Sequence, residues 1–256
     1  MMRVLPWIYL SAMFCFIYLP VAALVLFSFQ GGGLPVPPFD GPSLRWYGEV
    51  LVDDDLLAAL AASLGVALGS SAVAVSLGFL AAYGLARFVL PGAAMIRALL
   101  IVPMTVSYLI VGLGLLIVIQ RLGLPLSLLT AGIGHTVINL PLAFAIIYAS
   151  MGAQQQSAER AARDLGASEA DVLRLVTVPM LAPAILAAFF LSVTLSWDEF
   201  IIAFLLTRFD VTLPVEIWSM LRSGLSPRLN AIGSVVFLVS VAAVILAELL
   251  VLRRRG

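Results

Sequence analysis

Six stretches of this chain stay apolar for about twenty residues or more, the length a helix needs to cross the roughly 30 Å hydrocarbon core of a bilayer. They run over 7–29, 56–86, 95–119, 125–150, 179–206 and 230–252. In lipid every backbone N–H and C=O must be satisfied within the spanning structure, so each stretch predicts a helix. Composition agrees. Hydrophobic residues make up 62% of the 256 and charged residues 11%, against about 45–50% and about 25% in a soluble domain. The expected fold class is an all-α membrane protein of six transmembrane helices. It forms a single transmembrane domain over 1–256, with short connections and no soluble domain.

Arg3 before the first apolar stretch has the look of a secretion signal, but 7–29 is far longer than a signal's apolar region of roughly 7–15 residues. It reads as a retained span. Arginine bias sets the orientation. With the N-terminus inside, Arg3, Arg87, Arg97, Arg160, Arg163, Arg174 and Arg253, Arg254 and Arg255 face the cytoplasm, while Arg45, Arg121, Arg208, Arg222 and Arg228 face outward. The acidic run Asp53, Asp54 and Asp55 then lies in an outer segment, 30–55, and both termini are cytoplasmic. Zero net charge offers no field for nucleic acid. The lone Cys15 excludes an internal disulfide, and the lone His135 cannot build a histidine metal cluster and reads as a packed or hydrogen-bonded residue. No metal site and no catalytic constellation of Ser/His/Asp or H-E-x-x-H type is present. In span two, Gly65 and Gly69 form a G-x-x-x-G pair, which predicts close helix packing.

The only long polar stretch with helical character is 151–178. Glu159, Arg160, Ala161, Ala162, Arg163 and Asp164 predict a short helix, Gly166 a break, and Ser168 the N-cap of a second helix, with Asp171 completing a capping-box-like pattern. The small face of Ala161 and Ala162 admits another protein's surface, and the flanking charges can pair with it. The segment resembles the E-A-A-x-x-x-G signature of ABC importer permeases, followed at fixed distance by I-x-L-P. Ala161, Ala162, Gly166 and Pro179 match; Arg160 stands at the signature Glu with Glu159 one residue early, and Val176 and Val178 stand at the I and L positions.

That resemblance implies a type I ABC importer permease fold in a bacterial inner (plasma) membrane, multi-pass. It implies that Glu159, Arg160, Ala161, Ala162, Asp164, Gly166, Ala167, Ser168 and Glu169 belong to a coupling segment docking on an ATPase. The chain has no G-x-x-x-x-G-K-[ST] phosphate loop, so ATP and Mg would be bound by the partner. The implied partners are two ATPase subunits, a second homologous permease subunit and an extracytoplasmic substrate-binding protein, within membrane lipid and without nucleic acid. The chain itself would hold no cofactor.

Span five carries Ser196, Trp197, Asp198 and Glu199 inside an apolar run. A carboxylate costs about 2.5–3.5 kcal/mol at the centre of a membrane helix on insertion scales and rarely faces lipid. Ser192, Ser196 and Glu199 share one helical face, and Thr194 and Asp198 the adjacent one. This stripe either lines a pathway or pairs internally with Arg208 or Arg222. The run from Asp198 to Ala203, the stretch Thr212 to Met220, Ser226-Pro227, Asn230-Ala231 and Trp46-Tyr47 resemble the spermidine/putrescine permease subfamily. In that subfamily the paired acids attract a cationic substrate and an aromatic such as Trp46 stands near the outer mouth. Trp46 also suits an interfacial anchor. Met104 follows Pro103 where polyamine permeases usually place an acid. The expected function is therefore import of a small nitrogenous substrate, polyamine first. The alternatives are another small organic solute, such as an amino acid derivative or opine, or an ATP-independent secondary transporter. The last would usually carry an internal repeat, and none stands out.

Overall fold

The computed structural model describes residues 5–252. Among them the chain is helical, with one isolated bridge between Gln30 and Pro42 and no strand. Two of the arginine groups used for orientation, Arg3 and Arg253 to Arg255, lie outside the described residues. Residues 5–58 with 216–242 form one compact unit, and 59–215 with 243–252 form another.

In the first unit, α1 (Leu5–Ser28) and α12 (Pro227–Leu252) approach at Gly233, where a Cβ would stand 3.1 Å from the Leu24 side chain. The connection after α1 is closed by its own polar groups. Gln30 donates through Nε2 to the carbonyl of Pro38 at 2.9 Å and accepts from the Asp40 N–H at 3.0 Å. Short helix α2 (Arg45–Leu51) brings Trp46 under this loop, where its Nε1 donates to the Gln30 carbonyl at 2.7 Å. Asp53 caps the next helix through the N–H of Leu56 at 2.9 Å and pairs with Arg228.

The second unit is built on α3 (Asp54–Arg87), α6 (Leu128–Ser150) and a 29-residue helix, Glu169–Trp197. The last begins as α8 (Glu169–Asp171), widens into a π turn (Val172–Thr177) and continues as α9 (Val178–Trp197). Between α3 and α6 lie α4 (Ala93–Ile101) and α5 (Tyr108–Arg121); after α6 comes α7 (Ala153–Asp164), and after α9 come α10 (Ile201–Leu206) and α11 (Leu213–Ser223). One buried cluster, Val75, Ala82, Ala143, Phe144, Ile147 and Ala188, holds α3, α6 and α9 together. A second, Ile119, Ala131, Ile138, Ile202 and Leu206, holds α10 against α5 and α6.

Among the described residues four helices are long and apolar enough to cross a membrane, Pro6–Ser28, Asp54–Arg87, Leu128–Ser150 and Glu169–Trp197. The expected straight span at 95–119 is instead two pieces bent by 108°, Ala93–Thr105 and Tyr108–Arg121, which make a fifth span if counted as one. Pro103 lies in a 3-10 turn (Val102–Thr105) at this break, and Val106 is extended. Pro lacks the N–H that an α-helix would use there. The stretch expected at 179–206 starts ten residues earlier, at Glu169, and stops at Trp197, with α10 a separate short helix. The sixth stretch falls in α12, where Pro227–Ala242 is a shorter apolar helix.

Helix packing does not use the expected glycine pair. A Cβ on Gly65 or Gly69 would meet nothing within 4 Å, and both border an apolar groove of about 680 Å³ between α3 and α6. The close approach of these helices falls at Gly78, where a Cβ would stand 2.8 Å from the backbone nitrogen of Phe144.

Candidate functional site

The segment expected to couple is built as a helix, a stop and a restart. Helix α7 ends in a Schellman arrangement, in which the N–H of Ala167 reaches the carbonyl of Ala162 at 3.0 Å and the N–H of Gly166 reaches that of Arg163 at 2.9 Å. Gly166 has φ +87, a left-handed conformation that costs any residue with a Cβ roughly 1–2 kcal/mol. The spacing from Ala162 to Gly166 is thus the spacing from the carbonyl that takes the outer bond of this stop to the left-handed residue that closes the helix. Ser168 then caps α8, its Oγ accepting from the Asp171 N–H at 3.2 Å and donating to the Asp171 carboxylate at 2.6 Å. Asp171 therefore binds the cap hydroxyl rather than the cap backbone. Arg163 crosses the turn to Glu169 with two bonds of 2.6 and 2.9 Å.

This predicts an ordered loss at position 166. Gly166→Ala should lower the heat stability of the detergent-solubilised chain by about 1–2 kcal/mol and speed proteolytic cutting at 164–168. Gly166→Asn, which tolerates the left-handed region, should fall between Ala and the native chain. Cutting of the Ala variant at the native rate would remove the conformational role of Gly166.

Arg160, Ala161, Asp164, Gly166, Ser168 and Glu169 are exposed, and Ala162 and Ala167 half-buried. Leu165, which sequence reasoning passed over, is the most exposed of the segment's large apolar side chains, at 89%. Glu159 is placed differently from the expectation that the segment's charges face a partner: its side chain is wholly enclosed. It binds Arg87 at 2.6 and 3.1 Å and accepts from the Thr177 hydroxyl at 2.9 Å. Neither pairing is legible in the sequence, because the partners stand 72 and 18 residues from Glu159.

The span-five residues fall into two environments. Ser192, Ser196 and Glu199 are buried and Asp198 is exposed. The helix itself stops at Trp197, which is buried too. Ser196 meets His135 Nδ1 at 2.6 Å and Ser70 Oγ at 3.2 Å, so α3, α6 and α9 share one buried polar junction. Glu199 lies past the helix end and accepts from the N–H groups of Ile201, Ile202 and Ala203 at 2.9, 2.8 and 3.2 Å. Its Oε2 stands 3.5 Å from His135 Nε2. This carboxylate is thus taken up by the start of α10, with His135 beside it, and not by Arg208 or Arg222. Trp46 is buried and bonded to Gln30, so of the five expected pathway residues only Asp198 is exposed. Among the described residues no cluster of three or more metal-ligating side chains occurs.

The chain is thus a multi-span helical protein with a polar loop helix set on its own spans. The chain belongs to the family of binding-protein-dependent transport system inner membrane components, whose model matches residues 74–256. It is 29% identical over 250 residues to the spermidine/putrescine transport system permease protein PotC of Escherichia coli (strain K12), across 97% of this chain and 94% of that one. It is 34% identical over 241 residues to the putrescine transport system permease protein PotI of the same strain, across 90% and 85%. Among solved structures, its fold resembles a bacterial ABC transporter involved in the import of the acidic polysaccharide alginate, with a TM-score of 0.72 at 18% identity over 98% of this chain and 95% of that chain. An alginate ABC transporter in complex with an alginate pentasaccharide-bound periplasmic protein gives 0.70 at 15% identity over 96% and 92%. The chain is a permease subunit of a binding-protein-dependent importer.

Proposed function

We propose that this permease forms half of the path by which an ATP-driven importer carries a small organic cation, a polyamine of the putrescine or spermidine kind, across a bacterial inner membrane. The chain acts as one transmembrane domain of six spans, with the bent pair as span three, α12 as span six and both termini cytoplasmic. A second homologous permease completes the path. Two ATPase subunits hold ATP and Mg and grip the exposed residues from Arg160 in α7 to Gly166 in the turn that follows it. The extracytoplasmic binding protein delivers substrate on the opposite side. ATP-driven switching between two arrangements then opens the path to each side in turn.

The observation that carries the substrate class is Asp198. It is an exposed carboxylate at the end of an apolar helix, in a chain whose relatives over nearly its full length are named as spermidine and putrescine permeases. An ammonium group leaving water for a membrane path needs such a charge.

The test is affinity purification in mild detergent with mass spectrometry of the co-purifying chains, followed by uptake into vesicles. A stoichiometric ATPase and a second permease, with ATP-dependent uptake of putrescine or spermidine, are expected. A chain that purifies alone and still transports would overturn the ATP-driven reading. An intact complex that imports another small solute and neither polyamine would overturn the substrate class alone.

A further inference from the structure

Glu159 is the charged residue that burial makes hardest to explain by docking. Its exposure is 0%, against 6% for Glu199, the other buried acid among the described residues. An enclosed ion pair is weak evidence for stability, because desolvation offsets most of the attraction between the charges. What this pair does supply is connectivity. Arg87 is the last residue of α3, Glu159 lies mid-way along α7, and Thr177 closes the π turn at the root of α9. One carboxylate therefore ties three elements with bonds of 2.6, 3.1 and 2.9 Å.

The tie sits where a helix changes its winding. π turns are rare and cluster at functional sites. This one, Val172–Thr177, separates the capped start of α8 from the apolar α9, and Thr177 anchors its end to Glu159. Further along the same two long helices, Ser70 at the middle of α3 and Ser196 near the end of α9 meet at 3.2 Å. α7 is thus bonded to both α3 and the root of α9, and the same two helices meet again at the polar junction of Ser70, Ser196 and His135.

We infer that the Arg87–Glu159–Thr177 clamp is the mechanical link through which α7 drives α3 and α9, so that Glu159 positions the coupling helix and does not touch the partner. The inference rests on the proposed function, in which α7 is the segment an ATPase grips. Removing the clamp leaves the outer face of α7 intact, so docking survives and transmission fails.

The experiment uses the complete importer, purified and reconstituted with its binding protein. Two variants are compared with the native chain: Glu159→Gln, and the double Arg87→Gln/Glu159→Gln, which leaves no unpaired charge inside and so protects against simple misfolding. Subunit stoichiometry, ATP hydrolysis and substrate imported per ATP are measured together. The expected result is unchanged stoichiometry, continued hydrolysis and a fall of about ten-fold in substrate imported per ATP in both variants. Native import per ATP in the double variant would overturn the clamp, and so would failure of the double variant to hold the ATPase, since Glu159 would then serve docking. A native chain that binds no ATPase would instead remove the reading on which the clamp rests.

Discussion

Gly78→Leu should abolish accumulation of the folded permease. The position is where α3 and α6 come closest, and even a Cβ there would stand 2.8 Å from the backbone nitrogen of Phe144 and 3.1 Å from the Cβ of Ala143. A side chain can rotate away, but the backbone of Phe144 is held by its own helix. The helices would have to part, and with them the cluster of Val75, Ala82, Phe144, Ile147 and Ala188. Separation is costly in lipid because no hydrophobic drive pushes helices together; their contact is van der Waals packing, which fades steeply with distance. Gly78→Ala should cost about 1–3 kcal/mol, the usual range for overpacking, and leave a weakened but folded chain. Gly69→Leu is the matched control, since nothing stands within 4 Å of a Cβ there. Fluorescence-detected size exclusion of tagged variants gives the readout: a single native-like peak for Gly69→Leu, a reduced one for Gly78→Ala and none for Gly78→Leu. A native peak for Gly78→Leu would mean that α3 and α6 do not pack at this contact.

Position 78 also shows what sequence spacing carries and what it does not. Gly65 and Gly69 form the recognisable glycine pair, yet they border an open groove, while the contact is taken by Gly78, set between the buried small residues Ala74 and Ala82 at the same four-residue spacing. A periodicity marks which residues share a helix face. It does not say which face meets which neighbour, since that depends on how α6 crosses α3.

Apolar length was a good guide to where helices lie. The stretches 7–29, 56–86 and 125–150 correspond to α1, α3 and α6 within a few residues. It was blind to breaks, because hydropathy does not register backbone chemistry. Pro103 interrupts the third stretch by removing a donor, and Glu199 divides the fifth by taking up the N–H groups that open α10. The coupling segment was legible for the opposite reason. Its stop at Gly166 and its cap at Ser168 are local, made by residues within five positions of each other. Glu159 has no partner close in sequence: Arg87 and Thr177 come to it only through the fold, and a charge with no visible local partner reads as a surface charge. His135 reads as a packed residue and is one, but its junction with Ser196 and Ser70 joins three helices distant in sequence.

The same argument separates two acids that the sequence places side by side. Asp198 and Glu199 look equivalent as adjacent intramembrane carboxylates, but one is exposed and the other is consumed by backbone. Asp198→Asn should therefore leave assembly intact and lower uptake of a divalent amine by at least about ten-fold, since one charge pair near a protein surface is worth on the order of 4 kcal/mol at 4 Å. Glu199→Ala should act on the fold. It strips three N–H groups of their acceptor, two of them on the fully buried residues Ile202 and Ala203, and each unmet buried donor costs about 1–3 kcal/mol. Loss of α10 would loosen its packing with Ile119, Ala131 and Ile138, so the expected outcome is little folded protein. Glu199→Gln keeps an acceptor oxygen and should assemble and transport close to the native level. Uptake scored per assembled complex tells the roles apart. Native uptake by Asp198→Asn would take that residue out of the path, and a well-assembled Glu199→Ala complex that fails only in uptake would put Glu199 into it. The expected split, with charge at 198 felt by substrate and oxygen at 199 felt by the backbone, assigns different work to neighbours because one precedes and the other completes the turn into α10.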